Sequence, residues 1–277
     1  MGVKSQIFCT FVARLYIIMY MKKHILDLRL TAVTRLSDRY LLLSATNPVG
    51  PLPEMFPGQF AELRMDESRS TFLRRPISIH CVDREKNEIS FLVQMVGSGT
   101  TSLCRKQPGS VLNAVLPLGH GFTMPASASE QVLLVGGGVG VAPLLYMGAE
   151  MQRMGAQPVF LLGARTKADL LRLDAFRACG EVCLTTEDGS EGEKGFVTQH
   201  SVLHSRRFDR IVVCGPKPMM MAMACFAKQS GTPCEVSLEN MMACGLGACL
   251  CCVENTVKGN VCVCKEGPVF DVNMLNW

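Results

Sequence analysis

The chain has 277 residues, of which 48% are hydrophobic and 19% charged, so it is a globular protein long enough for two domains and a small appendage. Its net charge of +4 is too small and too dispersed for a nucleic-acid-binding protein, and no run rich in Lys and Arg occurs. Many of its 14 cysteines stand singly in apolar stretches, which is typical of a reduced cytoplasmic protein rather than a disulfide-bonded one.

The first twenty residues differ from the rest of the chain. Phe8–Tyr20 is mostly apolar, but Arg14 interrupts it, and the run is too short to span a bilayer. No small-residue cleavage site follows, and Met21 with the two lysines after it opens an ordinary strand pattern. We therefore expect residues 1–20 to be a non-native extension with Met21 as the true initiator. A membrane tether is the alternative.

Short strands separated by turns follow as far as about Pro125. Leu26, Leu28 and Leu30 alternate with polar neighbours, and Ile89–Val96 is a later strand of the same series. Short strands at regular spacing favour an antiparallel β-barrel. We predict this barrel over residues 21–127.

The pattern changes near Glu130, where strands begin to alternate with helices. An apolar strand at 131–135 leads through glycines into a helix, and further strands are predicted at 159–162, 182–185 and 210–214. This alternation predicts a parallel sheet over residues 128–232. Residues 233–277 form a cysteine-rich tail. The predicted fold is therefore α+β and multidomain: an antiparallel barrel, an α/β domain and a small C-terminal subdomain.

Four cysteines of the tail, Cys244, Cys249, Cys252 and Cys264, follow the pattern C-x4-C-x2-C-x11-C. The first three have the plant-type ferredoxin spacing, in which four thiolates hold a [2Fe–2S] cluster. Glycines between the first two cysteines suit a loop that wraps a cluster, because they allow positive φ and close backbone approach to sulfur. The motif makes electron transfer the first functional hypothesis.

Two other interpretations of these cysteines stay open. A structural zinc site is possible, although such sites usually combine two Cys-x2-Cys pairs, and disulfides are the third possibility. Cys251 and Cys262 lie beside the proposed ligands and complicate their assignment.

Two segments of the α/β domain suit a nucleotide. Gly136–Gly140 joins a strand to a helix, so its backbone can approach a pyrophosphate at the helix N-terminus. The run lacks the G-x-G-x-x-G form, and no acid follows at the usual spacing to bind a ribose, so a plain strand-to-helix turn is the alternative. Cys214–Met219 follows a later strand, at the sheet edge where ligands bind, or simply ends that strand.

Two segments of the barrel suit a second phosphate-bearing ligand. In Arg74–Ser78 an arginine stands near a serine at a strand edge and could pair with a phosphate, although this segment by itself favours a solvated basic strand end. Gly97–Thr101 could cradle a phosphate at the start of a helix. An ordinary N-cap is its alternative.

From Met21 onward these motifs together resemble the ferredoxin–NADP reductase superfamily. Within it the chain is most similar to the iron–sulfur electron-transfer subunits of type B (NAD-dependent) dihydroorotate dehydrogenase. The motifs that carry the resemblance are Leu73–Ile79, Gly136–Pro143, Glu187–Ser190 with Lys194 and Gly195, Cys214–Met219, Met242–Cys249 and Cys264–Phe270.

The resemblance implies which residues hold each cofactor. FAD is expected at Arg75, Pro76, Ile77 and Ser78, with its pyrophosphate at Gly99, Thr100 and Thr101. NAD, the co-substrate, is expected at Gly138, Val139, Gly140, Pro143, Cys214, Gly215 and Pro216. The cluster is expected on Cys244, Cys249, Cys252 and Cys264, because the family's fourth cysteine stands three residues before Gly-Pro-Val-Phe. No general acid or nucleophile stands out, so no catalytic side chain is predicted.

The resemblance also implies an oxidoreductase role in pyrimidine biosynthesis. Electrons from the FMN of a dihydroorotate dehydrogenase catalytic subunit are expected to pass through the cluster and FAD to NAD, in a cytoplasmic heterotetramer of two subunits of each kind. No nucleic acid or membrane is expected as a partner. One alternative is the small subunit of NADH-dependent ferredoxin:NADP oxidoreductase, which typically has Asp where this chain has Cys244. A standalone flavin reductase and a zinc-containing, non-redox nucleotide-binding regulator are the others.

Overall fold

A computed structural model describes residues 22–277, so the predicted non-native extension (residues 1–20) and the predicted initiator Met21 lie outside the described residues. Across the described range the protein contains two seven-stranded β-sheets and a two-stranded hairpin near the C-terminus. None of the helices in this range is long and apolar enough to cross a membrane.

The first sheet is the predicted barrel. Its strands are β1 (His24–Arg35), β2 (Tyr40–Thr46), β3 (Phe60–Leu63), β4 (Arg75–Ser78), β5 (Cys81–Asp83), β6 (Glu88–Gln94) and β7 (Val111–Leu118). They pair antiparallel throughout, in the order β4-β3-β7-β1-β2-β6-β5. In β1, Leu28 and Leu30 are buried while Asp27 and Arg29 are exposed, as expected of a strand with one face in the core. A short helix, α1 (Ser98–Ser102), lies between β6 and β7.

The second sheet is the predicted parallel sheet. Its first six strands are β8 (Val132–Gly137), β9 (Val159–Ala164), β10 (Glu181–Thr186), β11 (Glu193–Lys194), β12 (Arg210–Cys214) and β13 (Cys234–Ser237). The connecting helices are α2 (Ala142–Arg153), α3 (Leu173–Cys179), α4 (Val202–Ser205) and α5 (Lys217–Ser230). The six strands are parallel, in the order β11-β10-β9-β8-β12-β13. Every residue of β8 is buried, which explains its uninterrupted apolar sequence.

The cysteine-rich tail leaves this sheet and returns to it. After β13 the chain forms the thiol-bearing loop, then the hairpin β14 (Val253–Thr256) and β15 (Gly259–Cys262), then the short helix α6 (Val263–Glu266). The last strand, β16 (Val269–Asp271), pairs antiparallel with β13 and closes the edge of the second sheet. The predicted domain boundaries after residues 127 and 232 stay predictions. The tail contributes two strands to the second sheet, one near each of its ends.

Two buried hydrogen bonds join the barrel to α2. The Tyr146 hydroxyl donates to the Met55 carbonyl at 2.8 Å, and Nδ1 of His80 lies 2.7 Å from the Ala142 carbonyl oxygen. Because a carbonyl oxygen only accepts, Nδ1 carries the proton. The other ring nitrogen, Nε2, is buried and has no partner among the described residues. The imidazole is therefore held in its neutral form at the junction of the two sheets.

Acid is expected to destabilise the fold through His80. Burial is the largest cause that lowers the pKa of His80, from 6.5 to about 4. As the pH falls between these values, the unfolded chain binds a proton that the folded chain excludes. The contribution of His80 to the free energy of unfolding is therefore full above the unfolded pKa and decreases by about 3 kcal/mol as the pH falls to the folded one. The raised pKa of Glu62 acts in the opposite direction over part of this range, so the contribution of His80 is obtained by comparison with a His80 variant. Denaturant titrations at a series of pH values measure this loss.

The matched variant is His80→Asn, which keeps an N–H donor near the Ala142 carbonyl but does not titrate. Relative to the unmodified protein, its free energy of unfolding should become progressively higher, by up to about 3 kcal/mol, as the pH falls from 6.5 to 4. His204→Gln at an exposed position serves as the control and should keep the acid dependence of the unmodified protein. An acid dependence that is the same in His80→Asn and in the unmodified protein would contradict the assignment.

Candidate functional site

A cavity of about 630 Å³ lies where the order of the parallel strands reverses. The chain runs from β8 to β9 and β10 on one side and later returns to β12 on the other side of β8. In open α/β sheets, ligands bind at the carboxyl ends of the strands at such a reversal. The cavity contains residues from the ends of both β8 and β12, so its position and size fit a nucleotide.

Most residues predicted to bind NAD line this cavity. Gly138, Val139 and Gly140 come from the turn after β8, and Gly215 with Pro216 from the turn after β12. The remaining two do not line it. Pro143 is buried in the first turn of α2, and Cys214 is the buried last residue of β12.

The glycines explain why two backbone segments can meet here. A Cβ atom at Gly140 would lie 2.5 Å from both the Cys214 carbonyl oxygen and the Gly215 Cα, so no side chain fits between the two turns. Gly138 has φ +57° and faces open space, where a Cβ would meet nothing within 4 Å. The backbone of this turn is thus open to a pyrophosphate, beside the N-terminal end of α2. The site fits NAD.

The cavity is also lined by charged side chains to which no cofactor was assigned from the sequence. Arg39 of the barrel forms an ion pair with Asp169 at 3.4 Å, and Arg165 and Glu187 lie at the ends of β9 and β10. We predicted no acid at the usual spacing to bind a ribose, whereas the structure brings Asp169 and Glu187 to the cavity wall. Two signals were available for Glu187, because it begins the Glu187–Ser190 motif and directly follows the last residue of β10.

A second cavity, of about 260 Å³, lies between the barrel and the carboxyl edge of the second sheet. Pro76, Ile77 and Ser78 of β4 line it, as predicted for the flavin site, and Met242 of the tail lines it as well. Its walls are mainly apolar, with a few polar groups, which suits a planar ring system. The cavity fits the ring of a flavin.

The two arginines beside this cavity have different surroundings. The guanidinium of Arg74 donates to the carbonyl oxygens of Glu62 and Asn113 and to the Asn113 side chain, so it is engaged within the barrel. Among the described residues, the guanidinium of Arg75, the predicted FAD ligand, donates only to the neighbouring carbonyl oxygens of Leu73 and Arg74, and Arg75 lies outside the lining of the second cavity.

The predicted pyrophosphate residues lie on α1. Gly99 is buried, and a Cβ there would come within 2.9 Å of the Thr71 side chain. The Thr100 hydroxyl accepts from the Val96 amide at 3.0 Å and so serves the local turn, although the N-cap residue is Gly97 and not a threonine. Thr101 is exposed. Any role of these residues toward FAD stays a prediction.

The four predicted cluster ligands form two pairs. The Cys244 thiol contacts that of Cys249, and the Cys264 thiol contacts that of Cys252. Cys252 and Cys264 are buried, whereas Cys249 is exposed. Two thiolates for each of two irons is the donor set of a [2Fe–2S] cluster. Within residues 22–277 no group of three or more His, Cys, Asp or Glu side chains is arranged to hold a single metal ion.

Backbone amides point at the sulfur atoms of this loop. The Leu246 amide donates to Cys244 Sγ at 3.3 Å, and the Gly247 amide donates to Cys264 Sγ at 3.1 Å. The Leu246 bond is the largest cause that lowers the pKa of Cys244, whereas burial raises that of Cys264. Gly247 has φ +81°, which only glycine adopts freely. The donor set and the amides fit an anionic iron–sulfur cluster.

The thiol loop packs directly on the barrel. A Cβ at Gly245 would lie 2.8 Å from the Cγ of Glu62, which faces Pro76 across the β3–β4 ladder. Both carboxyl oxygens of Glu62 are buried without a partner among the described residues, and burial raises its pKa to about 7. Cys244 directly precedes Gly245, so it lies close to Glu62 of β3. The neighbouring strand, β4, lines the flavin cavity.

Two protein-family models match the chain. The "Iron-sulfur cluster binding domain of dihydroorotate dehydrogenase B" matches residues 239–276, and the "Oxidoreductase NAD-binding domain" matches residues 134–225. A solved structure of an NADH-dependent reduced ferredoxin-NADP oxidoreductase is 29% identical, with a TM-score of 0.80 over 91% of this chain and 90% of that one. With the two-sheet fold, these matches define an iron–sulfur oxidoreductase of the ferredoxin–NADP reductase type.

Curated relatives identify a particular family within this class of oxidoreductases. The dihydroorotate dehydrogenase B (NAD(+)) electron transfer subunit of Shouchella clausii is 40% identical over 221 residues, covering 78% of this chain and 85% of the relative. That of Desulforamulus reducens is 40% identical over 228 residues, covering 80% and 87%. The chain belongs to the family of electron transfer subunits of dihydroorotate dehydrogenase B. The predicted fold, family and cofactors (FAD, [2Fe–2S] and NAD) are confirmed, while the individual site residues stay predictions.

Proposed function

We propose that this chain relays electrons from the FMN of a dihydroorotate dehydrogenase catalytic subunit through its cluster and FAD to NAD. The order of its three sites supports this most directly. Met242 lines the flavin cavity two residues before Cys244, and Val139 lines both the flavin cavity and the nucleotide cavity. The cavity for the flavin therefore lies between the thiol loop and the cavity for the nucleotide, as a relay requires.

Each part of the chain would serve one cofactor. We assign residues 21–127 to FAD, residues 128–232 to NAD and residues 233–277 to the cluster. When bound, the cluster passes single electrons and FAD converts them into a hydride. Pro76, Ile77 and Ser78 would orient the flavin ring. Gly138, Val139, Gly140, Gly215 and Pro216 would hold the nucleotide against it.

The catalytic subunit would cover the face that carries the thiol loop. Met241, Leu246 and Leu250 on this loop are 83%, 48% and 64% exposed, unusual values for large apolar side chains so close together. Burying them would exclude water and bring the cluster close to the partner's FMN. We propose a cytoplasmic heterotetramer with two copies of each subunit. The free state of all 13 cysteines in the described part supports a reducing compartment.

The proposed function is tested by mixing this chain, loaded with its cofactors, with an FMN-containing catalytic subunit. Dihydroorotate-dependent reduction of NAD should require both proteins, and a complex should elute at the mass of two copies of each. The catalytic subunit alone should reduce dyes but not NAD. Reduction of NADP by reduced ferredoxin, without any orotate formation, would instead favour the ferredoxin:NADP oxidoreductase alternative.

A further inference from the structure

One carboxylate lies at the junction of the two cavities. Glu239 follows β13 at the carboxyl edge of the second sheet and lines both the nucleotide cavity and the flavin cavity. The other residues common to both are Gln94 and Val139, which carry no charge. Among the described residues, Glu239 is thus the ionisable group common to the two cavities. No motif pointed to it, because an isolated Glu after a strand has no distinctive spacing.

The surroundings of Glu239 suit a group that exchanges a proton. Its side chain is exposed to the cavities, while protein surrounds its other sides, and burial raises the pKa of its carboxyl above the usual value. No charged side chain contributes to that shift, and no hydrogen bond or ion pair of Glu239 is formed with the described residues. Because its pKa is raised, this carboxyl keeps a proton more readily than an exposed carboxyl does, and its place at both cavities lets it pass that proton on.

Other titratable groups near Glu239 are less suited to exchanging a proton with a bound cofactor. Cys214, on the adjacent β12, is buried, and its burial raises the pKa of its thiol well above the ordinary value, so it stays protonated. Arg39, Arg165, Asp169 and Glu187 line only the nucleotide cavity, and two of them are paired with each other. All other described residues that line the flavin cavity are uncharged.

The relay requires a proton as well as electrons. Two single electrons reduce a flavin with uptake of one proton at N5, and this hydrogen then leaves with both electrons as the hydride that reduces NAD. Each turnover therefore consumes two electrons and one proton for each NAD converted to NADH. The cluster supplies electrons only, so a protein group or water must deliver the proton into a cavity that the nucleotide covers.

We propose that Glu239 is a catalytic residue that carries this proton between solvent and the flavin N5. The inference rests on the proposed function. In the reverse direction, Glu239 accepts the N5 proton when a reduced flavin returns its two electrons to the cluster one at a time. Hydride transfer from NADH to the flavin moves no separate proton and does not need Glu239.

This difference allows a test within the loaded chain. Rapid anaerobic mixing with NADH separates bleaching of the flavin, which reports hydride transfer, from the later reduction of the cluster. In Glu239→Gln the first phase should stay within about threefold of the unmodified protein, and the second should slow by at least about tenfold. The second phase should also lose its dependence on pH and on deuterated solvent. Glu239→Asp should recover part of the rate.

A spectroscopic measurement tests the same inference without turnover. The infrared difference spectrum between the reduced and oxidised forms should contain a protonated-carboxyl band that Glu239→Gln lacks. Glu235→Gln removes a carboxylate from the same strand, lines neither cavity, and should change neither the band nor the kinetics. Equal slowing of both kinetic phases, or a band that persists in Glu239→Gln, would overturn the assignment. Both experiments use NADH alone, so failure of the orotate reaction would not be confused with failure of this proposal.

Discussion

Cys264→Ser is expected to leave the chain without its iron–sulfur cluster, whereas Cys262→Ser is expected to retain it. The Cys264 sulfur is buried, contacts the Cys252 thiol and accepts the Gly247 amide, as a cluster ligand should. The Cys262 thiol instead faces the Gly247 carbonyl oxygen at 3.8 Å. Serine binds iron more weakly than thiolate, so iron and sulfide per chain, with the visible spectrum, should fall in one variant only.

The same pair of variants separates the cluster from the flavin. NAD reduction by dihydroorotate should be abolished in Cys264→Ser, while NADH-dependent reduction of ferricyanide through FAD should remain near its original rate. Cys251→Ser, at an exposed position between two ligands, is the control and should keep both activities. Loss of iron in Cys262→Ser with full retention in Cys264→Ser would exchange the two assignments.

Gly140→Ala is expected to damage the nucleotide site and the fold together. Its added methyl group would lie 2.5 Å from the Cys214 carbonyl oxygen and the Gly215 Cα, and neither backbone atom can rotate away. The turns after β8 and β12 must therefore move apart. The free energy of unfolding should decrease by about 1–3 kcal/mol. The affinity for ADP-ribose should fall at least about tenfold, since every 1.4 kcal/mol lost at the site is a factor of ten.

Calorimetric binding and denaturant titration measure the two effects of Gly140→Ala separately. Gly50→Ala provides a matched control, because a Cβ at Gly50 would meet nothing within 4 Å and its φ is not left-handed. That variant should bind and unfold like the unmodified protein. Unchanged affinity for ADP-ribose in Gly140→Ala would show that the close approach of the two turns does not shape the nucleotide site.

The order of the domains could be predicted because each has a distinct periodicity. The single buried hydrophobic run of β8 and the alternation of Leu28 and Leu30 in β1 indicate a parallel and an antiparallel sheet, respectively. Neither β13 nor β16, with four and three residues, is long enough to show a period. Their pairing joins segments more than thirty residues apart, which local patterns do not reveal.

The site could be predicted where its residues are close in sequence. The spacing of Cys244, Cys249 and Cys252 is local, so the motif alone predicts that they bind the same cluster. Asp169, Glu187 and Glu239 reach the cavities from the segments that follow three separate strands, and only the strand order of the sheet brings them together. The roles of Arg74 and Arg75 could not be separated in advance, because β4 begins between them and the sequence does not show which of the two side chains points into the barrel.

The placement of β13 and β16 makes the iron–sulfur site and the nucleotide site depend on the same sheet. The thiol loop follows β13 and precedes β16, and both strands belong to the sheet that forms the nucleotide site. The cluster subdomain therefore cannot be removed without changing that sheet. Truncation before β13 would strip two strands and leave the edge of β12 uncovered. Loss of iron alone leaves both strands paired, so a subunit damaged in that way should still bind the nucleotide and accept its electrons.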